Sequence, residues 1–446
     1  MSKVRILRLI KENGPVSRAQ LQHMLGLSFP AVAAAIAELL SDGLISPAGT
    51  VSSGLGRKAE LFEFNARKGH VVGIDVGARK IRLAVANLVG NILQRAEIPT
   101  LAYEGGPRVM DRLVTLLEGV LEASNIGESE LLAIGVGAPG ISEEKTEVNL
   151  LFPFIPSWEG VPIRSTLERR FAAPVLVEND VDVAVIGERT WGAGRGCDNL
   201  VFVNVAVGAA AGIILDGKLH RGVRRAAGEI GFMVVDRSLV RDSFSDQGAL
   251  EDTITGPGIV RRFKARLGLE AGRPAPLSTS APTSAPAVTP VPVPVPVPIP
   301  AQPAVPAATP EGVQLEMADA EAVFALAGSG HRAAQEVIDE TVTYLAMALS
   351  NLIAVLDPEM VVLGGGVGLA LHSIARDRLA EFIGRHVPFV PRIVPAKLGN
   401  DAGVFGAIAV ALEKAQERLE RSLAAPVPAR SQSCSCSASG VSSGPG

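Results

Sequence analysis

Apolar positions near the N-terminus recur at the spacing of an α-helix. The stripe Ile6–Ile10 predicts a first helix, which Asn13-Gly14-Pro15 would end. Ser17, with Gln20 three residues later, is the pattern of a capping box. It predicts a short second helix that ends at Gly26, because glycine is a common helix terminator.

The segment that follows changes from helical spacing to alternation. Ser28 is expected to cap a third helix that runs to Gly43. A Ser/Gly-rich loop, Thr50–Gly56, then precedes the alternating strand Leu61–Phe64. Three helices followed by a β-hairpin are the order of a winged helix-turn-helix, so residues 1–66 are predicted to form a DNA-binding domain.

Residues 70–268 and 315–420 alternate short apolar runs with helical patterns. Two of the predicted helices are Pro107–Ala123 and Val181–Thr190. The predicted strands are Val71–Ile74, Ile81–Ala86, Leu131–Val136, Val175–Val177, Leu200–Val207 and Met360–Leu363. The pattern is that of an α/β fold, and residues 70–420 are predicted to form one large domain.

A proline-rich insert, residues 271–311, interrupts this domain. Its first 40 positions hold 13 prolines and a single charged residue, Arg273. Such a segment buries too little apolar surface to fold and is expected to be disordered, with a docking motif for a proline-recognising partner as the alternative. The Ser/Gly/Pro-rich tail 424–446 is expected to be disordered too, although its Cys434-x-Cys436 leaves metal binding as a second interpretation.

Composition narrows the class of protein. Residues 1–68 hold nine Lys/Arg against five acids, whereas the whole chain has a net charge of −4. A basic head on an acidic body fits a small DNA-binding domain. Three cysteines form no disulfide framework, and the N-terminus lacks the apolar run of a signal peptide. These features predict a cytoplasmic protein without a membrane span.

The predicted reading helix carries few groups that distinguish bases. Its N-terminal residues include Ser28, Phe29 and Ala31, with no Arg, Asn or Gln for bidentate contacts. The wing adds Arg57 and Lys58 after a Gly-rich tip, which suits a narrow minor groove. We expect these five residues and Arg18 to contact DNA; a winged helix that binds protein instead is the alternative.

A winged helix followed by five short motifs, in this order, resembles the repressor/open-reading-frame/kinase (ROK) family. The motifs are Gly73-Ile-Asp75-Val-Gly77, Gly137-Ala-Pro139-Gly140, Glu178-Asn179-Asp180, Gly228-Glu229-Ile-Gly231 and Leu363-Gly-Gly-Gly366. The wing sequence Gly56-Arg57-Lys58-Ala59 also resembles that of the family's regulators. The resemblance covers about residues 3–268 and 312–415. It implies a two-lobed actin-like ATPase fold around a sugar cleft, and homodimers or homotetramers on palindromic operators.

Phosphoryl transfer needs a positioned base and a close cradle for the phosphates. Asp180 matches the catalytic position of the family, although holding a sugar hydroxyl or capping a helix explains it equally well. The family's first phosphate loop survives as Asp75 and Gly77, but Arg79 stands where its kinases have threonine. The second loop keeps Gly208 and Gly212 and has alanine at two other glycine positions; the third, at Gly365, is intact. We therefore expect no efficient kinase and no catalytic residue.

The structural zinc of the family is also expected to be missing. Phe232 occupies its histidine position, and Asp242, Phe244 and Ala249 occupy its three cysteine positions. One aspartate does not replace a Cys₃His site, so we expect no metal and no cofactor.

The family's sugar shell is the best preserved part of the site. It corresponds to Asn149, Asn179, Asp180, Glu229 and Glu251, whose amides and carboxylates suit sugar hydroxyls. The leading hypothesis is a DNA-binding regulator of carbohydrate genes, acting as a repressor, that responds to a sugar or sugar derivative. A sugar kinase with an accessory N-terminal domain and a regulator without any ligand are the alternatives.

Overall fold

The computed structural model describes residues 2–51, 58–142, 149–150, 154–240, 247–269 and 319–424. For 141–142 and 149–150 only the backbone is described. The predictions made for the insert 271–311, for residues 425–446 and for the wing tip Ser52–Arg57 lie outside these residues.

The N-terminal domain has three helices against a small antiparallel sheet of strand order β1-β3-β2. Its elements are α1 Ser2–Asn13, β1 Val16–Ser17, α2 Arg18–Leu25, α3 Phe29–Ser41, β2 Ile45–Val51 and β3 Ala59–Phe64. Ile6, Ile10, Leu21, Ile36 and Phe62 are fully buried between helices and sheet. The predicted winged helix is therefore present.

Two helix N-caps were predicted for this domain, and only one of them forms its capping hydrogen bonds. The capping box is confirmed: Gln20 N donates to Ser17 Oγ and Ser17 N donates to Gln20 Oε1 at 2.8 Å. Ser28 stands at the N-cap of α3, but its hydroxyl makes no capping hydrogen bond, so that prediction was wrong. Pro30 occupies the N2 position and removes one of the two N–H groups that a cap accepts from.

The rest of the chain builds two lobes with the same sheet topology. The first sheet has the order β10-β7-β4-β5-β6 and the second β13-β12-β11-β14-β15, each with three antiparallel strands continued by two parallel ones. The strands are β4 His70–Val76, β5 Lys80–Asn87, β6 Ile92–Pro99, β7 Leu131–Ala138, β10 Val175–Asn179, β11 Leu200–Val205, β12 Ala209–Leu215, β13 Lys218–Leu219, β14 Met360–Gly364 and β15 Arg392–Pro395. A short pair, β8 Ile141–Ser142 and β9 Asn149–Leu150, stands apart.

Helices cover the two sheets and bury their apolar faces. They are α4 Gly106–Ala123, α5 Ile163–Phe171, α6 Asp180–Thr190, α7 Glu251–Ile254, α8 Gly256–Arg266, α9 Ala320–Gly328, α10 Arg332–Leu356, α11 Gly365–Gly384 and α12 Ala402–Ala424. Each lobe has its own core of buried Val, Ile and Leu. The predicted strand Leu200–Val207 is too long: β11 ends at Val205, because Ala206 N donates to Gly208 O at 2.9 Å and turns the chain into β12.

One helix, α10, is long and apolar enough to span a membrane by length and composition. Many of its apolar side chains, among them Val337, Leu345 and Leu349, are fully buried in the core of the second lobe. Burial inside the protein accounts for this composition.

The C-terminal helix α12 connects the two-lobed domain with the winged helix. Its second turn packs so closely on α6 that a Cβ at Gly406 would overlap the carbonyl oxygen of Val183. Its last turns contact α1: Arg8 forms a two-pronged ion pair with Glu420 at 2.8 Å, and Leu423 is buried among the core side chains of the winged helix. The two parts of the chain therefore share one continuous helix.

Candidate ligand-binding cleft and DNA-binding face

A cavity of about 300 Å³ is lined by residues of both sheets and by the first residues of α6, α11 and α12. Four carboxylates line it: Asp75, Asp180, Glu229 and Glu251. Its size is at the lower end of the usual range for small-molecule sites. The sequence-predicted acids and the intact glycine motif at Gly365 thus meet in one place.

Asp180 lies where β10 passes into α6. Asn179 caps this helix, with its Oδ1 accepting from Val181 N at 2.8 Å and its Nδ2 donating to the carbonyl oxygen of Gly140 at 3.1 Å. The amide of Asn179 is therefore used to fix the start of α6 and the Gly140 loop. Burial, aided by the nearby Asp75 charge, raises the pKa of Asp180 to about 7.

Asp75 ends β4 beside Asp180. It is buried, and Arg82 on the neighbouring strand donates to it over a long distance, 3.4 Å. Burial raises the pKa of Asp75 to about 6, because the distant guanidinium offsets only part of the desolvation. The two aspartates therefore form an acidic pair whose negative charge Arg82 neutralises only in part.

The second lobe supplies two further acids. Glu251 accepts a hydrogen bond from Ala209 N at 3.3 Å, and burial raises its pKa to about 7. Burial also raises the pKa of Glu229, which lies beside Glu251 and Asp180. Near neutral pH the carboxyl group of Glu251 is therefore available both as a donor and as an acceptor for sugar hydroxyls. The side chain of Asn149, the fifth predicted sugar contact, lies outside the described residues.

An ion-pair cluster around Glu178, one residue before Asn179, was not indicated by the sequence. The buried carboxylate of Glu178 accepts from Arg221 at 2.8 and 3.1 Å and also from Arg225. These contacts join β10 of the first lobe to the loop before Glu229 in the second. Because Glu178 adjoins Asn179 in the strand, alternation could have indicated that the two side chains face opposite sides, but the arginine partners of Glu178 are more than 40 residues away.

The three loops that correspond to the family's phosphate-binding loops line the cavity to different extents. Gly77, Arg79 and Gly208 line it, together with the substituted positions Ala206 and Ala210. Gly212 does not belong to this lining, because it faces Val181 and Val185 of α6. Gly365 lines the cavity too, with φ +74°, and a Cβ there would overlap the carbonyl oxygen of Val205. Local packing alone therefore requires glycine at position 365.

Two of the four positions that correspond to the family's zinc ligands are described, and neither carries a histidine or a cysteine. Phe232 is half-buried and lines the cavity, and Ala249 is buried. Asp242 and Phe244 lie outside the described residues. Within the described ranges no group of three or more His, Cys, Asp or Glu side chains is placed to hold a metal ion.

Five of the six predicted DNA-binding residues lie within the described residues. Ser28 and Phe29 are exposed at the start of α3, Ala31 is half-buried, and Lys58 is exposed where β3 begins. Arg18 pairs with Glu60 at 2.9 Å and lies over the ring of Phe62. Its charge is already neutralised inside the protein, whereas Arg57 lies outside the described residues.

Both parts of the chain match known families. The ROK family model matches residues 71–414, and a winged helix-turn-helix DNA-binding model matches residues 2–46. A glucokinase of Halalkalibacterium halodurans is 30% identical over 349 residues, 75% of this chain and 92% of that protein. A xylose repressor of Caldicellulosiruptor bescii is 25% identical over 419 residues, 92% of this chain and 95% of that protein. A xylose repressor of Bacillus subtilis is 27% identical over 246 residues, which are 55% of this chain and 63% of that protein.

Solved structures have the same fold. A ROK family transcriptional regulator, a homologue of the E. coli MLC protein, aligns with a TM-score of 0.69 at 22% identity, covering 94% of this chain and 97% of that one. A ROK hexokinase from Thermus thermophilus aligns with a TM-score of 0.60 at 26% identity, covering 78% and 99%. The chain belongs to the ROK family and carries a winged helix-turn-helix domain in front of the family's two-lobed domain.

Proposed function

We propose that this protein is a DNA-binding transcriptional repressor of carbohydrate genes whose operator affinity changes when a sugar binds in the cleft. The observation that carries the proposal is the path of α12. Its first residues, Ala402 and Gly403, line the cavity, and its last turns pack on the winged helix. A ligand and a DNA-binding domain thus contact the two ends of one element.

The chemistry of the cavity fits a hydroxyl-rich ligand. Asp180, Glu229 and Glu251 present carboxyl oxygens, each able to join two hydrogen bonds, and Phe232 offers an apolar face. Two kinds of relative bear sugar names, the xylose repressors and the glucokinases. A monosaccharide or a close derivative is the ligand class that both the residues and these names support.

Efficient phosphoryl transfer is not part of the proposal. Bare backbone must approach the transferred phosphate closely, and here the side chains of Arg79, Ala206 and Ala210 line that part of the cavity. We infer that the cleft binds its ligand without modifying it, and that neither metal nor cofactor is needed.

Regulation requires that the ligand favour one arrangement of the two lobes and the winged helix over another. Gly406 lets the N-terminal half of α12 pack directly on α6, so movement of the first lobe against the second would carry the helix with it. We further infer a cytoplasmic homodimer or homotetramer, because a symmetric assembly matches a palindromic operator.

The test begins with a footprint of the full chain on chromosomal fragments that surround its own gene. We expect one protected site, bound in a salt-dependent manner, and release or tightening of that site by one member of a panel of pentoses, hexoses and N-acylhexosamines. Binding that is equal on all fragments, or unchanged by every sugar, would contradict the proposal.

A sugar kinase is the second candidate, and Asp180 favours it. A carboxylate at the family's catalytic position with a pKa of about 7 is suited to accept a hydroxyl proton near neutral pH. ATP turnover with the same sugars separates the candidates. Rates above about 1 s⁻¹ that disappear in Asp180→Asn would establish a kinase, whereas rates far below that support the regulator.

A further inference from the structure

One arginine between the two lobes has a backbone conformation that glycine adopts far more easily. Arg225 lies in the loop between β13 and Glu229, and its φ is +57°. In this left-handed region the Cβ of any other residue is crowded by the main chain, so a long side chain is retained there only where its contacts compensate. The side chain of Arg225 must therefore supply such contacts.

The main chain of the loop does not itself require an arginine. Arg225 N donates to the carbonyl oxygen of Gly222 at 3.3 Å, and Ala227 N donates to that of Arg221 at 3.1 Å. A glycine at position 225 would form the same main-chain hydrogen bonds without the strain. The conformation of the loop thus leaves the identity of this residue unexplained.

The guanidinium of Arg225 reaches the other lobe. It donates to Glu178 of β10, whose buried carboxylate also accepts from Arg221, from Nε at 3.1 Å on one oxygen and from Nη2 at 2.8 Å on the other. Arg221 alone therefore gives Glu178 the two-pronged pairing that carboxylates favour. Loss of Arg225 would not leave a buried carboxylate without a partner, so satisfying the charge of Glu178 does not explain Arg225 either.

The same loop leads directly into the cleft. Four residues after Arg225, Glu229 lines the cavity. Between them Gly228 is fixed to the second lobe, because Ala211 N of β12 donates to its carbonyl oxygen at 2.7 Å and a Cβ at Gly228 would overlap the carbonyl oxygen of Ala211. The residues that lead to Glu229 are thus held to the first lobe by an ion pair and to the second lobe by main-chain contacts.

The charges around Arg225 become more important when the lobes approach each other. Burial, with the charge of Glu178, raises the pKa of Asp182 on α6 to about 7, whereas Arg221 and Arg225 lower it; Glu229 also contributes a raising effect. Acids of both lobes therefore face one another around the two arginines. A second cation in this place offsets the repulsion that closure of the cleft would increase.

We propose that Arg225 is a positioning residue, which ties the loop of Glu229 to the first lobe and thereby sets the affinity of the cleft for its sugar. The inference rests on the proposed function, because it assumes that Glu229 contacts the sugar. Without the ion pair of Arg225 the loop would depend more on its contacts with β12, and Glu229 would follow the second lobe whenever the cleft opens.

The test replaces Arg225 by glycine, which removes the ion pair and also the strain. Asp216→Gly is the matched control: Asp216 lies in the turn between β12 and β13 with φ +50°, does not line the cavity, and keeps the hydrogen bond from its main-chain N to Asn199 Oδ1 when its side chain is removed. Both variants relieve the backbone of the same hairpin region. Only Arg225→Gly alters a contact between the lobes.

Calorimetry of the full chain with xylose, glucose and N-acetylglucosamine measures the effect. For the sugar that binds, we expect Arg225→Gly to lower the affinity at least about tenfold. Its Tm should stay within about 4 °C of the parent, because the relief of strain opposes the loss of the ion pair. Asp216→Gly should bind as the parent does, and Arg225→Lys, which retains a cation, should recover part of the lost affinity.

Hydrogen exchange of the sugar-free protein tests the tie without a ligand. The amides of residues 226–232 should exchange faster in Arg225→Gly than in the parent, and unchanged in Asp216→Gly. The inference is overturned by unchanged sugar affinity in Arg225→Gly, by an equal loss in Asp216→Gly, by a fall in Tm large enough to account for the loss, or by unchanged exchange of these amides. If no sugar binds the parent, the sugar response of the proposed function fails, and the exchange measurement still decides whether Arg225 holds the loop.

Discussion

Truncation of Leu423 is expected to uncouple the cleft from the winged helix. This side chain belongs to the last turn of α12, is only 8% exposed, and packs among the buried residues of the N-terminal domain. Leu423→Ala removes most of that contact, a loss of about 2–3 kcal/mol for a nearly buried leucine. The ratio of docked to undocked winged helix should fall by roughly 30- to 150-fold.

The consequence is visible in operator binding with and without the sugar. Neither the cleft nor the DNA-facing residues are altered, so we expect both DNA and sugar to bind the variant still. The factor by which the sugar changes operator affinity, typically about 5- to 150-fold in coupled systems, should approach one. Fluorescence anisotropy with a labelled operator duplex measures this factor directly.

Leu93→Ala is the matched control, because Leu93 is a half-exposed leucine on β6 of the first lobe. It should leave the factor unchanged. If Leu423→Ala retained the full effect of the sugar while hydrogen exchange showed that its last helical turn had loosened, α12 would not be the connecting element, and the physical basis of the regulation proposed above would be refuted.

Three further predictions concern charge and close packing. Burial raises the pKa of Asp180 to about 7, so the native state loses stability as pH rises from about 4 through 7. Asp180→Asn should therefore raise the Tm relative to the parent at pH 8 and much less at pH 5. Equal shifts at both pH values would contradict this. Lys58→Ala should weaken operator binding on all sequences alike and reduce the salt slope by about one; a change confined to one operator sequence would exclude a phosphate contact. Gly406→Ala should destabilise the chain by about 1–3 kcal/mol in urea unfolding, because its Cβ meets the backbone of Val183. Gly119→Ala, on the exposed face of α4, should instead stabilise it by about 0.5–1 kcal/mol. Similar effects of the two variants would contradict the packing argument.

Local signals predicted most of the fold. The capping box at Ser17, the bounds of α4 and α6, and five of the six strand candidates follow from periodicity and turn residues over a few positions. The failures have local causes that compete with these signals. Pro30 removed a donor from the cap at Ser28, and the turn at Ala206 divided a continuous apolar run into two strands.

The candidate site was predictable where it depends on motifs and not where it depends on distant partners. Asp75, Asp180, Glu229 and Glu251 were found from their motifs, and the structure brings them into one cavity. The brace of Glu178 was missed because its arginines come from the other lobe. Other roles also depend on partners far away in sequence: Gly212 packs on α6 outside the cavity lining, and Arg18 is neutralised by Glu60 of the wing strand.

The end of α12 was missed for the same reason, and it matters most for function. Leu419 joins the core of the winged helix to that of the first lobe, and Leu423, one turn further on, continues the apolar spacing into the core of the winged helix. A helix needed only for the first lobe would have no reason to extend an apolar face past it. The extension, together with the ion pair of Glu420 with Arg8, stabilises one orientation of the winged helix. A ligand that shifts the other end of α12 must therefore act on that orientation or break these contacts, and either result changes how two copies of the winged helix can meet adjacent half-sites on DNA.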